Sequence, residues 1–195
     1  MGCDVSEEGG DKTVVMFRRG NIIENTFYWS KTSYSITKHK VLALINKYKP
    51  DAIVVDSNGS GVCVTDFLKD KGLFIEEVRG QRRSNFPDRY TNKRAELYDA
   101  VKQAIIESLQ IPKDLTELSA ELRSISAYTN SSGLLAIEPK RKPGIKRHIQ
   151  SPDFVDALSY TYAVNPPRKD YRNGFGLGGF KYDSEPLLVD RRYNR

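Results

Sequence analysis

The sequence predicts an α/β domain: a mixed sheet that begins with a three-strand antiparallel meander, continues with parallel strands, and is flanked by helices. Three observations predict it. Residues 2–29 contain three runs rich in Val, Ile, Phe, Tyr and Trp, separated by a polar turn and by Arg19-Gly20, which has the length and glycine of a tight hairpin. Residues 36–78 then alternate helical spacing with short apolar runs, the pattern of parallel strands joined by right-handed crossovers. The chain of 195 residues, 38% hydrophobic and 29% charged, has room for one well-buried domain and not for two ordinary ones.

Taken in order, residues 2–5 read as the end of a strand running into a polar turn at 6–11, and residues 13–18 and 21–29 as the next two strands. Over 36–48, Val41, Leu42, Leu44, Ile45 and Tyr48 recur at helical spacing, and Pro50 stops the helix. Residues 51–56 (DAIVVD) are a short apolar run ending in a carboxylate, as a buried parallel strand does. A turn at 57–61 leads to a helix over 62–71 closed by Gly72, and residues 74–78 form a further strand. Residues 79–91 are a basic loop carrying Phe86, Pro87 and Tyr90. The helix over 92–109 sets Leu97, Val101, Ala104, Ile105 and Leu109 on one face, and residues 115–122 are helical as well. Residues 125–129 and 134–138 form a hairpin around 130–133, and Pro139 leads into Lys140-Arg141-Lys142. The last helix spans 152–163, with Ser151 as its N-cap and Pro152 in its first position. From Asn165 the chain is rich in Gly, Arg and Tyr without periodicity, which divides it into a domain over 1–164 and a tail over 165–195. There are no internal repeats.

Composition removes several function classes. No apolar run approaches the roughly 20 residues of a membrane-spanning helix. The opening MGCDVSEEGG lacks the basic start and apolar stretch of a secretory signal, so a cytoplasmic protein is expected. Two cysteines and two histidines exclude a disulfide framework and a structural zinc site. Cys3 and Cys63 both have apolar neighbours and read as small core residues. The net charge of +6 favours a polyanionic partner, and it gathers in residues 79–94, residues 140–147 and the tail. A charge run is ordinarily a solvated face, so position must decide what each does.

Four carboxylates have the positions that carry chemistry. Asp4 ends the first strand and Asp56 ends the first strand after a crossover helix, so neighbouring strands would bring both out at one sheet edge. Asp153 and Asp156, three apart, share one face of the last helix. Carboxylates gathered this way need counter-charge, and hard divalent cations with oxygen ligands, magnesium or manganese, supply it. Two such ions about 3.5 to 4 Å apart suit phosphodiester hydrolysis. Taken singly the acids have plainer readings: Asp4 and Asp56 as turn formers, Asp153 as a charge favoured in a helix's first turn. Asp156, set among Phe154, Val155, Ala157 and Leu158, is the hardest to explain that way.

The residues resemble the nuclease domain of the tailed-phage terminase large subunit, of ribonuclease H-like fold. The resemblance rests on Gly2-Cys3-Asp4-Val5 with Gly10-Asp11, on Val54-Val55-Asp56 with Gly59 and Gly61, on NKRAEL at 92–97, and on Ser151 to Leu158 (SPDFVDAL). It spans residues 2–164 and leaves the tail outside. It implies a metal-dependent endonuclease that cuts double-stranded concatemeric viral DNA during genome packaging in the host cytoplasm, with Mg2+ or Mn2+, two ions, as cofactor. It places Asp4, Asp56 and Asp153 on the catalytic, metal-binding acids, with Asp156 joining or supporting them. Between Asp153 and Asp156 the direct ligand stays open, Asp153 being first choice because it starts the helix. It also implies an ATPase domain in the full-length protein, and the portal and small terminase subunit as partners. No phosphate-binding Gly-rich loop with its lysine occurs here, so an isolated nuclease domain that cuts without translocating is expected.

For the DNA backbone, Lys140, Arg141, Lys142, Lys146 and Arg147 stand just before the acidic helix. Arg79, Arg82, Arg83 and Arg89, interleaved with Phe86 and Tyr90, form a second contact loop, although such aromatics serve equally to pin a loop to the core. His148 reads as a surface residue. The competing readings are a Holliday-junction-resolvase-like nuclease of the same superfamily, which would be dimeric and structure-selective, and a non-catalytic DNA-binding scaffold. A sugar-kinase-like nucleotide binder would need phosphate-cradling glycine loops and a second lobe for which the chain is too short.

Overall fold

A computed structural model describes residues 1–6, 11–59, 61–139 and 151–165. Its centre is a five-stranded sheet of β1 (Gly2–Asp4), β2 (Thr13–Arg19), β3 (Ile22–Trp29), β4 (Val54–Asp56) and β5 (Glu76–Val78), in the order β3-β2-β1-β4-β5. β1 to β3 form the antiparallel meander, and β4 and β5 extend it in parallel. The helices are α1 (Tyr34–Tyr48), α2 (Gly61–Asp70), α3 (Lys93–Ile106), α4 (Thr116–Ser124) and α5 (Asp153–Tyr160), and a hairpin of β6 (Ala127–Thr129) and β7 (Leu135–Ile137) stands apart from the main sheet. No helix among the described residues is long and apolar enough to cross a membrane.

The period of two along each strand decides which layer each residue meets. Cys3, Val5, Val15, Phe17 and Val55 pack with Val41 and Ile45 of α1 and Val64 and Leu68 of α2. Their neighbours in sequence, Val14 and Met16, pack on the opposite side with Phe154, Ala157 and Leu158 of α5, Tyr98 and Val101 of α3, and Leu118 of α4. Val54 and Val78 meet Leu97 and Tyr160 on that same side. The sheet is therefore covered on both faces, and α5 fills the middle of the second layer with all eight of its residues buried.

That packing is close. A side-chain carbon on Gly2 would overlap the Ala157 carbonyl oxygen, so β1 and α5 touch backbone to backbone. The far end of α5 is tied by Arg18, whose Nε donates to Thr161 Oγ1 at 2.7 Å and whose Nη2 donates to the Thr161 carbonyl at 2.6 Å. A guanidinium there satisfies a carbonyl past the last helical turn and complements the negative end of the helix dipole.

Several local expectations are corrected. The first hairpin turn is Gly20-Asn21, not Arg19-Gly20, because Arg19 still pairs with Ile22 and Gly20 takes the positive φ of 54° that the turn requires. Cys63 is exposed: the buried stripe of α2 runs through Gly61, Val64, Thr65 and Leu68, and residue 63 falls off it. Ile105 is 42% exposed, since α3 turns Leu97, Tyr98, Val101 and Ala104 inward instead. The last helix starts at Asp153 with Pro152 in the cap position, and no side chain at the cap accepts a hydrogen bond; Ser151 is not its cap.

Gly2→Ala is expected to lower stability by about 1–3 kcal/mol, the usual cost of overpacking a close contact. Urea denaturation of the variant checks this, and an unchanged midpoint would show that the β1–α5 contact is not tight.

Candidate functional site

Strand pairing places the first two acids. β1 and β4 run parallel with Gly2 opposite Val54 and Cys3 opposite Val55, so one step on, Asp4 and Asp56 end adjacent strands side by side. Cys3 and Val55 turn to the α1–α2 layer, and alternation turns Asp4 and Asp56 to the α5 layer. Asp4 is buried and Asp56 half-buried. Asp56 Oδ1 accepts from Asn58 N at 3.0 Å and from Asn58 Nδ2 at 2.9 Å, an Asx turn that orients the carboxylate and ends the strand. A side chain at Gly61 would overlap the Asp56 carbonyl oxygen, so α2 can start directly behind this residue only with glycine there.

α5 brings the second pair. Ala157 and Thr161 lie against Gly2, and one turn earlier along the same stripe stands Asp153, at the end of β1 where Asp4 lies. Asp153 is buried, and its Oδ2 accepts from Lys12 N at 2.7 Å, just ahead of β2. Asp156, also buried, turns toward α3. Its Oδ1 accepts from Tyr98 Oη at 2.6 Å and pairs with Arg94 Nε at 3.5 Å, while Arg94 Nη2 donates to Tyr98 Oη at 2.8 Å. Asp156 thus ties α5 to α3.

The electrostatics record the gathering of negative charge. The Tyr160 phenol is held well above its ordinary value, first by burial and then by the charges of Asp4, Asp156 and Asp56. Burial pushes the Cys3 thiol up, and Asp4 and Asp56 push it further. Carboxylate oxygens are the donors that a hard divalent cation takes, and Asp4, Asp56 and Asp153 are the candidates that could hold one. Among the described residues no three Asp, Glu, Cys or His side chains stand in an arrangement that could hold a metal ion. The acids are distributed over two strand ends and one helical turn.

One residue of the site is not legible in the sequence. Glu121, on α4, reaches the first turn of α5, where its Oε2 accepts from Val155 N at 3.0 Å. Burial raises its carboxyl to about 7 against the pull of the Val155 hydrogen bond, and the charges of Asp153 and Asp156 add to the rise. Nothing within α4 marks Glu121, since its partner lies 34 residues away.

The basic loop adjoins the same sheet edge. Asp56 pairs with Val78, so Arg79 follows β5 one strand from the acids, and its Nη2 lies 3.9 Å from Glu77. Arg82, Arg83 and Arg89 are exposed. Ser84 Oγ and Asn85 N donate to Glu96, and buried Tyr90 donates to Asp99 at 2.7 Å, so Tyr90 pins the loop to α3. The loop also bonds β7, through Leu135 N to the Arg89 carbonyl and Thr91 N to the Leu135 carbonyl. Lys140, Arg141, Lys142, Lys146, Arg147 and His148 lie outside the described residues.

Comparison with known proteins agrees with this fold. The nuclease domain of the large terminase subunit gp2 of bacterial virus Sf6 is similar with a TM-score of 0.63 and 20% identity, over 80% of this chain and 84% of that one. The large terminase nuclease of thermophilic phage G20c, with magnesium bound, is similar with a TM-score of 0.62 and 19% identity, over 83% of this chain and 78% of that one. A mutant of the Sf6 domain that holds manganese and beta-thujaplicinol is similar at 21% identity, with a TM-score of 0.63, over 80% of this chain and 84% of that one. At these identities the likeness is one of fold, here the ribonuclease H-like mixed sheet. A search of the curated proteins finds no match. The model of the terminase RNase H-like domain matches residues 13–164, which span β2 to α5, and the chain belongs to that family.

Proposed function

We propose that this domain is a divalent-metal-dependent endonuclease that cuts double-stranded viral DNA concatemers during genome packaging. The observation that carries the reading is the side-by-side placement of Asp4 and Asp56 on one sheet face, with the acidic first turn of α5 at the same end. The Sf6 and G20c terminase nucleases, solved with manganese and magnesium, support the choice of cation for a chain of this family.

Asp4, Asp56 and Asp153 are the proposed ligands. Asp156 is the proposed support, because Tyr98 and Arg94 already engage its Oδ1 and fix α5 to α3. The chemistry that a pair of Mg2+ or Mn2+ ions supplies is polarisation of the phosphodiester, with stabilisation of the attacking and leaving oxygens. The chain's own part is to hold the carboxylates on rigid strand ends and a buried helix, so that little reorganisation accompanies DNA binding. Arg79, Arg82, Arg83 and Arg89, on a loop clamped by Glu96 and Asp99, carry positive charge beside that edge for the phosphate backbone. In the full-length protein an ATPase domain, the portal and the small terminase subunit are the proposed partners.

Plasmid DNA incubated with the protein is expected to be nicked with Mn2+ or Mg2+ and to stay intact with chelator. Asp4→Asn and Asp56→Asn are expected to lose more than the roughly 10–100-fold typical of outer-sphere changes, and undiminished cutting by a folded variant would remove that residue from the site. Asp153→Asn is expected to abolish cutting with the fold intact, whereas Asp156→Asn costs about 1–3 kcal/mol of stability, as loss of a hydrogen-bonded charge does. Denaturation and cleavage measured on the same two preparations check this, and the reverse pattern would make Asp156 the ligand. Removal of residues 165–195 is expected to spare metal-dependent cutting, and its loss from a folded truncation would place the tail in the machinery.

A further inference from the structure

We infer that Glu121 is a positioning residue for this site: from α4 it holds the first turn of α5 and so sets where Asp153 stands relative to Asp4 and Asp56. The inference rests on the proposed nuclease reading for its functional consequence and on the geometry of α5 for its cause.

The first turn of any helix presents backbone N–H groups with no partner inside the helix. In most helices a Ser, Thr, Asp or Asn at the cap accepts from one of them. α5 has Pro152 in that position, with φ −82° and ψ 61°, and makes no side-chain cap bond. Water is a poor substitute, since residues 152–160 are all buried. The acceptor comes instead from another element: Glu121 Oε2 takes the Val155 N–H at 3.0 Å. A third carboxylate is thereby drawn toward a turn that already carries Asp153 and Asp156, against the repulsion of like charges. A purely apolar contact between α4 and α5 would avoid that cost, so the carboxylate's presence is explained by what it bonds.

The other restraints on α5 leave this role open. Arg18 holds its far end through Thr161, and Asp156 fixes it sideways to Tyr98 and Arg94. Within the first turn, Tyr98 and Arg94 hold the Asp156 carboxylate and Lys12 N holds the Asp153 carboxylate; these bonds act through side chains, whereas Glu121 bonds a backbone N–H of the turn. With eight residues, α5 is barely two turns long, so fraying of the first turn would move Asp153 directly. Glu121 touches the backbone of α5 and not the carboxylates expected at the reacting phosphate, which makes its action indirect.

Two conservative variants of the full chain separate reach from charge. Glu121→Gln keeps an oxygen acceptor at the same distance and removes the charge; Glu121→Asp keeps the charge and withdraws it by one methylene. Three readouts apply: hydrogen exchange at the Val155 amide, Mn2+ binding by calorimetry with the metal alone, and plasmid cleavage resolved into kcat and KM. Glu121→Asp is expected to speed Val155 exchange, weaken Mn2+ binding by roughly 10-fold or more and lower kcat, with KM for DNA little changed. Glu121→Gln is expected to retain Val155 protection and most of the binding and cutting. The inference is overturned if Glu121→Asp keeps full protection and Mn2+ affinity, or if Glu121→Gln loses Mn2+ binding while Val155 stays protected, which would make the charge itself the active feature. A wild type that neither binds Mn2+ nor cuts DNA would defeat the nuclease reading instead, and the exchange arm alone would then decide whether Glu121 holds α5.

Discussion

The in-register parallel pairing of β1 with β4 is the constraint on which the rest of the molecule depends. It joins the antiparallel meander to the parallel half of the sheet, and the opposition of Cys3 with Val55 leaves Asp4 and Asp56 neighbours at the strand ends. A slip of one residue would turn every side chain of either strand to the other layer, sending a carboxylate into the apolar packing of α1 and α2. Burial of Val15, Phe17 and Val55 on one side and Val14, Met16 and Val54 on the other therefore enforces the register and the placement of the acids together.

α5 answers the two strand ends from the layer above. It is held by hydrogen bonds from other elements at both ends, a Glu121 oxygen accepting at the N-terminal turn and a guanidinium donating beyond the last, where it complements the helix dipole. Neither group is local in sequence. Arg18 comes from β2 and Glu121 from α4, so the helix is defined by the layers around it more than by its own residues.

What could be read from the sequence follows from the range of each interaction. Asp4 and Asp56 were legible because an apolar run that ends in a carboxylate reports a strand end, and period-two burial needs only neighbouring residues. The meander, the parallel crossovers and the helical face through Leu97 and Val101 were legible for the same reason. Cys63 misled because its apolar neighbours Val62 and Val64 say nothing about which side of a helix meets the core. The Ser151-Pro152 pair looked like a helix start, and the proline instead took the cap position, leaving the acceptor to a residue that sequence spacing could not connect. The partnership of Asp156 with Tyr98 spans 58 residues and is likewise invisible to any local pattern.

The enclosure of α5 also has a consequence in time. The hydrogen bond from Lys12 to Asp153 closes a loop of 141 residues, and the strand end it borders is synthesised well before α5. Contacts of such long range form late, after the loop-closure entropy has been offset by more local structure. A growing chain can assemble the meander, the crossovers and the layer of α1 and α2 while the opposite face of the sheet still lacks its central helix. Asp4 and Asp56 are then adjacent but uncovered, and the acidic first turn of α5 reaches their end of the sheet only when the stretch through Tyr160 has emerged and docked. In a protein whose proposed task is to cut DNA, the proposed ligand Asp153 joins Asp4 and Asp56 only with a late packing step, and partly made chains carry the two strand-end acids alone.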